Sequence, residues 1–252
     1  MLYHGGQLMD GTPNVYIIWY GCWTGCSPGS NRETQSILVE FVTNLGGSPY
    51  GMINTTYPNA DGATPSGAYI YGGSVEDLYT RGPSLIESDI ETIVTEQFQI
   101  GGLPLDPNGI FIVIASSDVT VTGFCTDRCQ YHRSLVYNGT TVRYAFIGNP
   151  VRCPSKCAAQ FAGVASPNSN VAADAAASWL AAVLSEVSTN PLGNGWFDRY
   201  GLEDAAKCEG SFGNTYTTSN GARANMRLGQ RDYLIQENWV NLRKGYCGIS
   251  YP

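Results

Sequence analysis

Residues 170–196 read NVAADAAASWLAAVLSEVSTNPLGNGW, and this stretch decides how the rest of the chain must fold. Apolar side chains recur at Ala176, Leu180, Val183, Leu184 and Val187, the i, i+4, i+7 spacing of a helix face turned to a core. Asn170 is placed to cap the first turn, and Asp174 lies near the positive end of the helix dipole. Pro191 ends the helix, because its ring removes a donor and biases Asn190 away from helical backbone. Periodicity alone makes this a core helix that holds a sheet together.

The strands it packs on are read on either side. Asn14 to Tyr20, bounded by Pro13 and Gly21, is a buried strand, and Ile110 to Ala115 after the turn Asp106-Pro107-Asn108-Gly109 is a second. Continuous β-branched runs of this kind suit strands covered on both faces. Arg143 to Ile147 is a further strand, Ala68 to Tyr71 a short one, and Val119 to Val121 is expected to extend the sheet. Asn31 opens a helix through Leu45, with Ile37, Leu38, Phe41, Val42 and Leu45 on one face and Gly46-Gly47 at its end. Ser84 is expected to cap a second helix, Leu85 to Ile100, with Glu87 in the capping-box position. Ser48 to Gly73 and Glu209 to Gly221 read as long irregular loops, and Trp196 to Cys208 as partly helical. Strands alternating with helices, without repeats or a linker, predict a single α/β domain over residues 1–252 with a mixed sheet and packed helices.

Of 252 residues, 43% are apolar and only 14% charged, with a net charge of −7. A sizeable core is therefore available, while the surface is dressed with Ser, Thr, Asn, Gly and Tyr. Such a surface repels its neighbours weakly and suits contact with neutral surfaces, carbohydrate or protein. Lys and Arg cluster nowhere beyond Arg243-Lys244, which excludes the basic stripe that nucleic acid requires. No membrane span is expected, since the apolar runs at Val15–Tyr20 and Ile110–Ala115 are strand-sized.

Cys22, Cys26, Cys125, Cys129, Cys153, Cys157, Cys208 and Cys247 make an even set beside only two histidines, which favours disulfides over zinc. Three pairs are spaced C-x3-C, neither the thioredoxin motif nor the usual zinc knuckle. Eight cysteines allow about 105 pairings, so connectivity stays open. Glycosylation sequons stand at Asn54-Thr55-Thr56 and Asn138-Gly139-Thr140. Cysteines and sequons together predict a secreted, extracellular glycoprotein. The first residues, MLYHGGQLMDGTP, hold no signal-peptide pattern, so this reading entails a leader already removed.

Several blocks taken in order resemble one family. Tyr3-His4-Gly5-Gly6 and Val15-Tyr-Ile-Ile-Trp-Tyr-Gly21 resemble its opening strand. Ser116-Ser117-Asp118-Val119, then Phe124-Cys125 to Cys129-Gln130-Tyr131-His132, resemble its first cysteine block. Gly148-Asn149, then Cys153-Pro154 to Cys157-Ala158, are similar to its second. Thr189-Asn190-Pro191-Leu192 and Cys208-Glu209-Gly210 complete the series. The family is the exordium-like, or phosphate-induced protein 1, family of secreted, wall-associated plant proteins. There the long helix typically reads H-E-L-A-E before T-N-P, and an E-I-A-D-L-C segment follows. The resemblance implies a metallopeptidase-type site and a zincin-like scaffold, in which a helical His and a Glu four residues on share a cation and the intervening Glu serves as general base.

In this chain that pattern is eroded. Ala182 stands in place of the His, Val183 in place of its neighbouring Glu, and Ala206 in place of the Asp, while Glu186 remains. Methyl and isopropyl groups neither ligate a metal nor transfer protons. The expectation is therefore no catalytic residue, no metal and no cofactor. His132 near Asp118 and Asp127 lacks the G-x-S-x-G elbow of a serine hydrolase and reads better as a structural hydrogen-bonding group. No P-loop, G-x-G-x-x-G or EF-hand loop is present. The leading reading is a non-catalytic structural protein of an extracellular matrix, cell wall or fibre, self-assembling into a homo-oligomer or filament. The alternatives are a metal-dependent or glycan-directed hydrolase, and a carbohydrate-binding protein using Trp23, Tyr50, Tyr57, Tyr69 and Tyr71.

Overall fold

The computed structural model describes residues 1–26 and 28–252. Its centre is a sheet of five strands: β1 (Asn14–Tyr20), β2 (Ile70–Asp77), β3 (Gly109–Ala115), β4 (Gln130–Tyr137) and β5 (Thr140–Ile147). They lie in the order β2-β1-β3-β5-β4, and only β4 runs antiparallel to its neighbour. The sheet is thus mixed, as the alternation of elements predicts.

Helices cover both faces. On one side Val15, Ile17, Trp19, Ile110, Ile112 and Ile114 share a core with α1 (Arg32–Leu45) and α3 (Val171–Thr189). On the other, Tyr16, Ile18, Tyr20, Phe111 and Val113 pack with Ile90, Ile93 and Val94 of α2 (Glu87–Gln99). Successive side chains of a strand point to opposite faces, so a strand buried on both must be apolar, as β1 is after Asn14 and β3 is throughout.

The helix ends follow local chemistry. Asn31 Oδ1 accepts from the Thr34 N–H at 2.9 Å and Asn170 Oδ1 from the Ala173 N–H at 3.0 Å, which fixes the starts of α1 and α3. α2 begins later than expected. Ser84-Leu85 pairs with Thr120-Val121 in a separate two-stranded ribbon, so the latter does not extend the main sheet. The helix start is met instead by Asp89, whose carboxylate accepts from the Ile86 N–H at 2.8 Å. In the stretch expected to be partly helical, Trp196-Phe197 pairs with Leu2-Tyr3 and only Ala206–Cys208 forms a 3-10 turn. The loop after α1 carries a 3-10 helix of its own, Gly51–Thr56.

β4 has no counterpart in the sequence reading. It is the outer strand of a hairpin with β5, in register from Gln130 opposite Ile147 to Tyr137 opposite Thr140. The two turn residues, Asn138 and Gly139, have φ of 47° and 77°, the left-handed pair that a two-residue hairpin of this twist requires.

All eight cysteines pair, as Cys22–Cys26, Cys125–Cys153, Cys129–Cys157 and Cys208–Cys247. Cys153 caps the short helix Pro154–Cys157 and Cys157 ends it, four residues on, so the two meet Cys125 and Cys129 as parallel rungs. By length and composition α3 is apolar enough to cross a membrane, but 89% of it is buried inside the protein. Its apolar surface is already used by the core.

Candidate functional site

α3 underlies β4 and β5, which lays its last turns against the edge of the sheet. Ala182, Glu186 and Ala206 all line one cavity of about 150 Å³, together with Gln130 of β4 and Gln236. The positions carried over from the peptidase-type pattern therefore converge in space, except Val183, which is fully buried in the main core. The cavity is well below the roughly 300–1,000 Å³ of common small-molecule sites. Arg128 and Lys156 also line it, but their charged ends are held elsewhere, by Glu87 at 2.9 Å and by the Thr126 carbonyl.

Glu186 is 3% exposed. A buried carboxylate needs donors, and two are present: the Gln130 amide at 2.9 Å and the Ala206 backbone N–H. Burial pushes the Glu186 carboxyl well above its ordinary range, and the nearby Glu203 and Asp204 push it further. Asp204 is fully buried, raised to about 6 by burial and by Glu203, and held by the Ser185 and Thr189 hydroxyls at 3.1 and 3.2 Å.

Glu203 brings His132 into the group. The imidazole Nε2 lies 3.0 and 3.1 Å from the two Glu203 oxygens, and the Asn190 amide donates to Glu203 Oε1 at 2.5 Å. His132 thus has a carboxylate partner, though neither of the aspartates near it in sequence. One ligand atom each from His132, Glu186 and Glu203 lies within 4.8 Å of the others. Glu186 is the one acid of the eroded pattern that remains, and the fold supplies a carboxylate and an imidazole beside it. Position along the chain hides this, since His132 enters on β4, Glu186 on α3 and Glu203 on the loop beyond. The signal that could have found β4 was Asn138-Gly139 between apolar alternations, a strong hairpin mark.

Two other expectations change. Asn54 is 1% exposed, its amide donating to the Tyr69 hydroxyl at 2.8 Å and accepting from Ser185 at 2.5 Å. The folded core has no room for a glycan there, whereas Asn138 is exposed on its hairpin turn. Of the aromatics considered for sugar stacking, Trp23, Tyr50, Tyr57 and Tyr69 are buried in the core, so they offer no face to a glycan.

The residue blocks, the cysteine ladder and the converging positions all point one way, and comparison with known sequences decides it. Residues 1–233 match the phosphate-induced protein 1 conserved region. The chain belongs to the phosphate-induced protein 1 family. Among its relatives in this family is Protein EXORDIUM-like 3 of Arabidopsis thaliana, 30% identical across 97% of this chain and 81% of the relative. Protein EXORDIUM of the same plant is 30% identical across 84% of this chain and 73% of its own length. Protein PHOSPHATE-INDUCED 1 of Nicotiana tabacum is 28% identical across 83% and 72%. No solved structure matches. The names of these family members state no reaction.

Proposed function

We propose that this family member is a secreted, non-catalytic structural protein of an extracellular matrix, cell wall or fibre. One observation carries the reading. The cavity that gathers the peptidase-type positions presents the methyl groups of Ala182 and Ala206 where that pattern has a His and an Asp, and Glu186 alone of those positions keeps its acid. Two of the groups that such chemistry would use are absent from the place where it would occur.

Secretion is supported by the complete pairing of eight cysteines, since reducing compartments keep thiols free. Self-assembly is supported by low surface charge and by the outer edge of β2, a strand whose residues alternate exposed and half-buried from Ile70 to Glu76. An open strand edge is a template for another chain, and a contact that does not close on itself propagates as a filament.

The test is direct. The purified chain is incubated with peptide and glycan libraries, then examined by sedimentation and electron microscopy over rising concentration. No turnover above blank, with ordered particles growing with concentration, is the expected result. Turnover would overturn the non-catalytic reading, and a monomer at every concentration would remove the assembly.

A further inference from the structure

Glu186 belongs to a second grouping that owes nothing to Ala182 or Ala206. With His132 and Glu203 it forms a set of one imidazole nitrogen and two carboxylates whose ligand atoms lie within 4.8 Å of one another. Glu186 and His132 are 3% and 8% exposed, while Glu203 is half-buried, so the set is largely withdrawn from water. Among the described residues no Lys or Arg forms an ion pair with Glu186, Glu203 or Asp204. Carboxyls gathered in this number away from water are held either by a proton or by a positive charge, and the imidazole is the one nitrogen ligand in contact with them. We infer that His132, Glu186 and Glu203 bind a divalent transition cation of the zinc class.

The donor set selects the class. An imidazole nitrogen beside two carboxylates suits zinc and its neighbours, whereas calcium and magnesium prefer oxygen throughout. Metal bonds of about 2.0–2.2 Å can draw these ligand atoms together by rotation of the two carboxylates. Both are already oriented by neutral amides, Glu186 by Gln130 at 2.9 Å and Glu203 by Asn190 at 2.5 Å, the outer support that metal-bound carboxylates commonly have. A cation held by these ligands on β4, α3 and the loop after it would fasten the antiparallel edge of the sheet to the core helix. This role goes beyond the proposed function and does not depend on it.

The experiment uses the full chain stripped with a chelator and returned to metal-free buffer. Zn²⁺, Co²⁺, Ca²⁺ and Mg²⁺ are added in turn, with elemental analysis, visible absorption of the Co²⁺ form and thermal unfolding as readouts. One equivalent of Zn²⁺ or Co²⁺ is expected, with Tm raised by about 5–10 °C at a hundredfold excess over Kd. Glu203→Gln and Glu186→Gln should each weaken binding at least tenfold, while Asp61→Asn, on an exposed turn, leaves it unchanged. Should either ligand variant fail to fold, the wild-type chain still reports, because it contains only His4 and His132. Zn²⁺ should shift the NMR resonances of His132 and not those of His4. No binding at millimolar metal, binding of Ca²⁺ or Mg²⁺ alone, or binding indifferent to both glutamine variants would overturn the proposal. The library assay above stands apart: metal without turnover supports both readings, and absence of metal leaves the non-catalytic reading intact.

Discussion

The two ends of α3 each bury an acid, and they treat it differently. At the start, Asp174 is met by a loop built to receive it. The Asn168 backbone and side-chain amides donate to it at 2.8 and 2.6 Å, and Arg231 lies near. Burial still raises its carboxyl above the ordinary value, but these donors oppose the rise. Near the far end, Glu186 has an amide and one backbone N–H, and its closest charged neighbours are two more acids. The first arrangement is what stability alone asks of a buried charge. The second leaves a buried negative cluster without a Lys or Arg partner, and such an arrangement marks a place with work other than packing.

Substitutions can break this contrast. Asp174→Ala strands the Asn168 donors and loosens the cap of α3, and should destabilise the fold by about 3 kcal/mol in urea unfolding. At the other end, Ser185 links Asn54, Asp204 and Asn238, and Ser185→Ala should cost about 2 kcal/mol by the same measurement. Glu186→Gln is the sharpest comparison. In chelator-treated protein it replaces a carboxyl whose charged form burial and two neighbouring acids disfavour, and should stabilise the fold by about 1 kcal/mol. A loss comparable to that at Asp174 would show that the two ends are alike after all.

The smallest effect is on pH dependence. Asp174 holds its proton more tightly in the folded chain than in the unfolded one, because burial raises its carboxyl above 3.8. Its contribution to stability is therefore full below the ordinary value and declines as pH rises through the raised one. Asp174→Asn should flatten that decline in thermal unfolding followed from pH 3.5 upward, and an unchanged slope would assign the dependence elsewhere.

Much of the scaffold was legible because local chemistry and tertiary burial agree. The starts of α1 and α3 follow from Asn31 and Asn170, and β1 after Asn14 and β3 are apolar because both of their faces are covered. β4 was missed because its run, QYHRSLVY, is half-exposed and alternates weakly, although its turn was plain. Asn54 satisfies a sequon and still lies in the core, since the triplet says nothing of burial. Cys22 and Cys26 bond each other as close neighbours, but the pairing of the two middle C-x3-C motifs was illegible for a geometric reason. Close spacing in sequence suggests neighbours bonding each other, whereas a helical turn aims Cys153 and Cys157 in parallel at two partners on another segment. The candidate site was half legible. Ala182, Glu186 and Ala206 do meet at one cavity, but His132 and Glu203 reach Glu186 only through the packing of β4 and the post-helix loop on α3.

The disulfides have a further consequence under mechanical load. A protein set in a fibre or wall is pulled, and it lengthens by releasing folded chain. The Cys208–Cys247 bond closes 39 residues of sequence, roughly 130 Å of contour at about 3.4 Å per residue, that tension on the termini cannot draw out. The two parallel bonds between Cys125–Cys129 and Cys153–Cys157 place the β4–β5 hairpin under the same restraint. Stretched in an oxidising medium, the chain would yield first from its N-terminal half and keep its sheet edge closed, and adding a reductant would restore the missing extension.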